Sequence, residues 1–337
     1  MAKVGVVGGG AWGTAIAAHA TRLGHETMLW AFEREVAEEV RSEHRNSVFL
    51  PDVPLPPALG ASSDPAEVVG RAELVVLVPP SKHFRAVSTL VAPHVPASAL
   101  VAVASKGIEE SSLELLSTVL RSTMPQVGPE RLAFLSGPTF ANEVARELPA
   151  DIVVASEQMT AARRIQPLLH APRLRVYTSA DPIGVQVGGA IKNVIAVATG
   201  ACDGLGLGNN ARAALITRGL AEMTRLGVAL GANPLTFLGL AGVGDLVLTA
   251  TGDLSRNRTL GKQVAAGADP ATYLASKRSV AEGYFTSAAA WALAQKLGVD
   301  MPITEQVFRV LHERRSLTDA FNALVERARK DELQGIA

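Results

Sequence analysis

The chain has 337 residues, 48% hydrophobic and 19% charged, with zero formal net charge and one cysteine, Cys202. At roughly 100–200 residues per domain this suggests two domains, and the apolar content excludes disorder as the default state. Neutrality offers no global argument for nucleic acid or an acidic membrane as partner, and a lone cysteine excludes an internal disulfide and a Cys-rich zinc site.

Met1–Val7 combines a basic residue with an apolar run, as a signal peptide does. Glycines interrupt it at once and no cleavage site follows, so Lys3–Val7 reads as a first strand. No early apolar run is long enough to cross a bilayer, so the expected address is the cytoplasm, with no membrane insertion. Further strands are expected over Thr27–Trp30, Leu74–Val78, Leu100–Ala104, Leu132–Leu135 and Ile152–Ala155. These are continuous apolar runs, as in a parallel sheet covered on both faces. Helical stretches lie between them at Trp12–Arg22, Arg34–Glu43, Lys82–Val91 and Leu113–Arg121. The alternation predicts an α/β fold, a doubly wound, Rossmann-like domain.

Asp181-Pro182 is a helix start, with a capping residue followed by proline at the first helical position. Beyond it strand signals fade. Ile191, Val194, Ile195 and Ala198 repeat at helical spacing, as do Ile216, Leu220, Met223 and Leu226. Helices also fit Pro270–Ser276, Ser287–Lys296 and Thr304–Leu311, and a last one is expected from Thr318, as cap, to near Lys330. The division is therefore 1–180, a dinucleotide-binding domain, and 181–337, an all-helical one.

The first strand runs into Gly8-Gly9-Gly10-Ala11-Trp12-Gly13, which contains G-x-G-x-x-G. Gly8 permits a tight turn. Gly10 has no side chain to hold a pyrophosphate off the backbone, and Gly13 lets the helix pack closely on the strand. The helix N-terminus then presents free N–H groups to phosphate. Strand before and helix after give the motif the context it requires. Phe32-Glu33-Arg34, after the second strand, holds both the acidic signal for NAD and the basic one for NADP, so the cofactor is NAD or NADP.

Ligands of open α/β sheets bind beyond the carboxyl ends of the strands. Ser105-Lys106-Gly107 and Ser136-Gly137-Pro138-Thr139-Phe140 fall there. Lys106 reads either as a contact to an anionic or carbonyl substrate or as a solvated loop lysine. In the second half, Lys192 and Asn193 sit in a small-residue helix. Lys192 is either a buried, pKa-lowered proton carrier or a lysine snorkelling to solvent. Asp245, among Gly242 and Gly244, is a ligand contact or a helix cap. Ser255-Arg256-Asn257-Arg258 is a phosphate grip or a solvated basic turn. The seven histidines show no metal spacing, so no metal is expected, and Ser136 lies in no G-x-S-x-G elbow.

Taken together, Gly8–Ala15, Ser105–Gly107, Ser136–Ala141, Gly188–Ala196, Ala214–Leu220, Gly242–Thr249, Ser255–Arg258, Val280–Tyr284 and Met301–Ile303 resemble the bacterial NAD(P)-dependent glycerol-3-phosphate dehydrogenases, in family order over nearly the whole chain. The resemblance implies hydride transfer between NAD(P)H and dihydroxyacetone phosphate, giving glycerol 3-phosphate for phospholipid synthesis. It implies Lys192 as proton donor and acceptor at the C2 oxygen, with Lys106 and Asp245 as its catalytic companions. It places Gly137, Thr139, Asn193, Thr249, Ser255, Arg256 and Asn257 with them on the substrate. It places Gly8, Gly10, Ala11, Trp12, Gly13, Phe32, Glu33, Arg34, Lys106, Ala141, Arg256, Val280 and Glu282 on the cofactor. Ala11 departs from the serine of many family members, removing one hydrogen bond to the cofactor. A homodimer is the default expectation for the apolar helical domain. Two rival readings are a lysine-dependent 2-hydroxyacid or sugar-acid dehydrogenase and a non-catalytic dinucleotide sensor.

Overall fold

The structure, a computed structural model, describes residues 1–278, 280–328 and 331–332. The chain forms two compact units. Met1–Ser105 and Leu116–Pro182 make the first; Lys106–Leu115 and the chain from Ile183 onward make the second.

The first unit is one eight-stranded sheet. Its strands are β1 (Lys3–Val7), β2 (Glu26–Trp30), β3 (Gly60–Ser62), β4 (Leu74–Leu77), β5 (Leu100–Val103), β6 (Leu132–Ser136), β7 (Ala150–Ala155) and β8 (Leu174–Ser179). Their order is β3-β2-β1-β4-β5-β6-β7-β8, and its first six positions are the doubly wound 3-2-1-4-5-6 arrangement. The helices between them are α1 (Ala11–Arg22), α2 (Arg34–Glu43), α3 (Pro65–Val69), α4 (Phe84–Val91), α5 (Leu116–Thr123), α6 (Ala141–Ala145) and α7 (Met159–Leu169). β4, β5 and β6 are buried along their whole length, as helices on both faces require.

The parallel sheet expected from the sequence needs one correction: β6 and β7 pair antiparallel. The link between them carries α6, which packs on α1 at the carboxyl edge of the sheet. The chain therefore re-enters from that edge without crossing over, and β7 and β8 run against the first six strands. Two strands had no sequence signal strong enough to register. β3 is three small residues, Gly-Ala-Ser. β8 alternates buried and exposed residues at the sheet's edge, unlike the continuous runs elsewhere.

The second unit is helical: α8 (Pro182–Gly204), α9 (Gly208–Ala229), α10 (Asp245–Thr251), α11 (Arg256–Ala265), α12 (Pro270–Ala275), α13 (Glu282–Leu297), α14 (Pro302–His312) and α15 (Leu317–Val325). α8 is largely apolar because it is the core helix. It is long and apolar enough to cross a membrane, yet 94% of its apolar window is buried. Val187, Ile191, Val194 and Ile195 of α8 pack with Met223, Leu226, Phe237 and Leu246. The last helix is capped by Ser316, whose hydroxyl accepts from Asp319 N at 3.0 Å, not by Thr318. It ends at Val325, and the expected end at Lys330 lies outside the described residues.

Glu222 of α9 caps α14 from a distance. Its carboxylate accepts from Ile303 N at 2.5 Å, Thr304 N at 3.0 Å and Thr304 Oγ1 at 2.9 Å. Burial pushes its carboxyl up to about 7 despite those three donors. This is where the first turn of α14, with no side-chain cap of its own, satisfies its N–H groups.

Residues 106–115 join the second unit for a packing reason. Ile108 and Leu115 form an antiparallel bridge, and both are buried in the helical core. Leu113, at φ 61°, takes the left-handed conformation that turns the excursion back. This also delays α5 to Leu116, three residues after the expected start.

Candidate active site

In the first unit the glycine-rich turn links β1 to α1. Gly8 has φ +129°, and a Cβ there would lie 2.9 Å from the Val78 carbonyl group. A Cβ on Gly13 would lie 1.9 Å from the Gly8 carbonyl oxygen, so α1 starts directly against the turn. A Cβ on Gly10 would meet nothing within 4 Å. Gly10 is also the residue preceding α1, and no side chain caps the helix there. Open space beside uncapped N–H groups at a helix start is what a pyrophosphate needs, so these residues fit a dinucleotide.

Ala11 and Trp12, in the first turn of α1, are partly exposed. After β2, Phe32 is 78% exposed, Glu33 precedes α2 without capping it, and Arg34 opens the helix in solvent. Gly137, at φ +153°, turns the chain after β6; a Cβ there would lie 2.8 Å from the Asp151 oxygen. Thr139 Oγ1 donates to Gly137 O at 3.1 Å, and Ala141 opens α6. One residue of the first unit was missed. Asn46, wholly buried, donates from Nδ2 to Gly9 O and to Thr14 Oγ1, each at 2.8 Å. In the sequence it is one asparagine among loop residues, 37 positions from the turn it touches.

The second unit holds a compact charged cluster. Lys192 sits mid-way along α8, 7% exposed. Its ammonium group donates to Asp245 Oδ1, and to Thr249 Oγ1 at 3.0 Å. Lys106 donates to the other carboxylate oxygen, Asp245 Oδ2, at 2.6 Å. Asp245 is 1% exposed and is the first residue of α10, not its cap. A π-helical turn, Leu240–Gly244, delivers it. That turn lies against α8 because Gly188 has no side chain: a Cβ there would lie 2.2 Å from the Ala241 oxygen. Thr249, one turn along α10, donates to Asp245 Oδ1 at 3.3 Å. Two ammonium groups on one carboxylate leave the cluster net positive.

Burial is the largest influence on Lys192 and drives its ammonium down to about 7. Asp245 opposes that shift and Lys106 reinforces it. For Asp245, burial works upward, yet the two lysines outweigh it and hold the carboxyl below its ordinary range.

The remaining residues named from the sequence lie in the same unit. Asn257 Nδ2 donates to Asn193 Oδ1 at 2.8 Å and Asn257 Oδ1 accepts from Gly283 N at 2.9 Å, tying α11 to α8 and α13. Ser255 caps α11, accepting from Arg258 N at 3.2 Å. The two arginines of this motif part company. Arg258 is buried and held by Asp203, from Nε at 2.8 Å, and by Asp253, from Nη1 at 2.7 Å. Arg256 extends from the first turn of α11 and is exposed. Val280 and Glu282, at the start of α13, are partly exposed. Among the described residues no group of three or more His, Cys, Asp or Glu side chains forms a metal-binding cluster.

A doubly wound sheet with an open glycine turn, and a buried lysine–carboxylate cluster on a helical unit, define a nicotinamide-dependent dehydrogenase. The chain belongs to the NAD-dependent glycerol-3-phosphate dehydrogenase family, whose N-terminal model matches residues 3–162 and whose C-terminal model matches 181–322. It is 48% identical over 331 residues to the glycerol-3-phosphate dehydrogenase (NAD(P)+) of Syntrophotalea carbinolica, covering 98% of this chain and 99% of that one. The Geobacter metallireducens enzyme of the same name is 48% identical over 330 residues, covering 98% of both. The glycerol-3-phosphate dehydrogenase structure from Coxiella burnetii superposes with a TM-score of 0.92 at 39% identity, covering 97% of this chain and 99% of that one. A ketopantoate reductase from Ralstonia eutropha, at 18% identity and TM-score 0.58, shares the fold alone. These relatives do not favour the carboxylate-substrate or sensor readings.

Proposed function

We propose that this chain reduces dihydroxyacetone phosphate to glycerol 3-phosphate, and reverses the reaction, with Lys192 carrying the proton. The observation behind this is the Lys192–Asp245–Lys106 cluster, a proton donor poised near neutrality in a net positive, buried setting. Residues 1–180 are the cofactor domain in this reading and 181–337 the substrate domain. Gly8, Gly10, Ala11, Trp12, Gly13, Phe32, Glu33 and Arg34 hold the dinucleotide, with Ala141, Val280 and Glu282. When bound, the reduced nicotinamide supplies hydride to C2 of the ketone. Lys192 gives its proton to the C2 oxygen as negative charge grows there. Lys106 adds a second positive charge, and Asp245 and Thr249 aim the Lys192 ammonium group. Arg256, exposed while Arg258 is sequestered, takes the substrate phosphate, with Ser255, Asn257 and Asn193 as further substrate contacts of the second unit and Gly137 and Thr139 as those of the first. The product supplies phospholipid synthesis in the cytoplasm, a setting that the single cysteine fits. Exposed Leu205, Leu207, Phe321 and Val325 support a homodimer.

The test is the pH dependence of kcat/KM in both directions, followed through the absorbance of the reduced nicotinamide. Reduction needs protonated Lys192, so it falls as pH rises through about 7. Oxidation of glycerol 3-phosphate needs the neutral amine, so it falls as pH drops through about 7. Two profiles that turn in the same direction would rule out Lys192 as the shared acid and base.

The glycine turn makes a second prediction. Gly10→Ala leaves the melting temperature unchanged, because its Cβ enters open space, but weakens NAD(P)H binding roughly 10–100-fold. Gly13→Ala, forced against the Gly8 oxygen, lowers stability itself by about 1–3 kcal/mol. Calorimetric melting with and without cofactor separates the two. Equal loss of stability in both variants would contradict the assignment of Gly10.

A further inference from the structure

We infer that Asn46 is a positioning residue for the cofactor's pyrophosphate, acting through the orientation of the Gly9–Gly10 peptide. The inference rests on the reading of the glycine turn as a dinucleotide site.

Asn46 is 0% exposed, and its side chain is used on both sides. Nδ2 donates to Gly9 O and to Thr14 Oγ1, each at 2.8 Å. Oδ1 accepts from Phe49 N at 3.0 Å. Thr14 Oγ1 in turn donates to Gly9 O at 3.3 Å, so that one carbonyl oxygen receives two donors. Asn46 is itself held by its own turn, where Leu50 N donates to Asn46 O at 2.9 Å. A rigid loop therefore reaches back and fastens the middle glycine of the turn.

The consequence follows from peptide geometry. No peptide bond in the described residues is cis, so the Gly9 carbonyl and the Gly10 N–H point in opposite directions. Fastening the carbonyl inward, onto Asn46 and Thr14, aims the Gly10 N–H outward. Beside Gly10 the space is open, since a Cβ there would meet nothing within 4 Å. If this peptide turned over, a carbonyl oxygen would face the phosphates in place of a donor, and the turn would repel the anion it is built to bind. Asparagine suits the task because its amide offers two donors toward the turn and one acceptor for its own loop. Aspartate, of the same shape, keeps the acceptor and loses both donors.

The experiment measures binding of NADH, ADP-ribose and adenosine to the wild-type chain and to Asn46→Asp and Thr14→Val, by calorimetry for the first two and by competition for adenosine. Thermal melting establishes that each variant is folded. In Asn46→Asp the Kd for NADH and for ADP-ribose rises roughly tenfold or more, the consequence of losing two buried hydrogen bonds that hold the donor in place. Adenosine, which has no phosphate, keeps its affinity. Thr14→Val, which preserves shape but removes the other donor to Gly9 O, shifts the same two ligands in the same direction. Unchanged NADH affinity in a folded variant overturns the inference. So does a loss that falls equally on adenosine, because that is damage to the domain and not to the phosphate donor. A wild-type chain that binds none of the three sinks the reading of the turn itself.

Discussion

Replacing Lys192 with alanine is expected to lower kcat for reduction of dihydroxyacetone phosphate by about 10²–10⁴-fold, the range lost with a positioned general acid. The Kd for NAD(P)H should stay near that of the wild type, because Lys192 lies on α8 and the glycine turn lies in the other unit. In the alanine variant Asp245 keeps its ion pair with Lys106 and its hydrogen bond from Thr249, so its carboxylate retains partners. A small primary amine in solution should restore part of the rate, since it can occupy the vacated space and supply the proton. A folded Lys192→Ala variant with more than about a tenth of wild-type kcat would remove Lys192 from the proton-transfer role.

Asp245→Asn is expected to have the largest effect on stability. Among the described residues Asp245 is the one carboxylate bonded to both lysines of the cluster, and its removal leaves the buried Lys192 ammonium beside the part-buried one of Lys106. Breaking a buried pair in this way costs about 3–5 kcal/mol, so the melting temperature should fall sharply below neutral pH, where Lys192 is charged. The sign of the accompanying pH change is fixed. Asp245 raises the Lys192 ammonium against burial, so its loss lets the value drop below about 7. The pH at which reduction declines should move down with it. Raising the pH discharges Lys192 and should recover part of the lost stability. A variant that melts like wild type with an unmoved profile would show that the three groups do not act as one cluster.

The fold was legible in the sequence wherever local pattern carried it. Continuous apolar runs gave away β1, β4, β5 and β6, and the glycine motif with its strand and helix context marked the turn between β1 and α1. Helical spacing marked α8, α9, α13 and α14. Family motifs supplied the residue roles that composition left even, since neither Lys106 nor Lys192 declares its surroundings in sequence. Tertiary structure alone decided three things. The reversal of β7 depends on where α6 docks, which no local signal encodes. Lys106 follows a strand of the first unit, yet Ile108 and Leu115 find their apolar partners in the second, and burial there carries the lysine to Asp245. Asn46 braces Gly9 across 37 positions, and a hydrogen bond of that span has no periodicity to read. Sequence determines elements because side-chain periodicity and turn chemistry are local; it leaves these contacts open because they form only when distant segments bury the same surface.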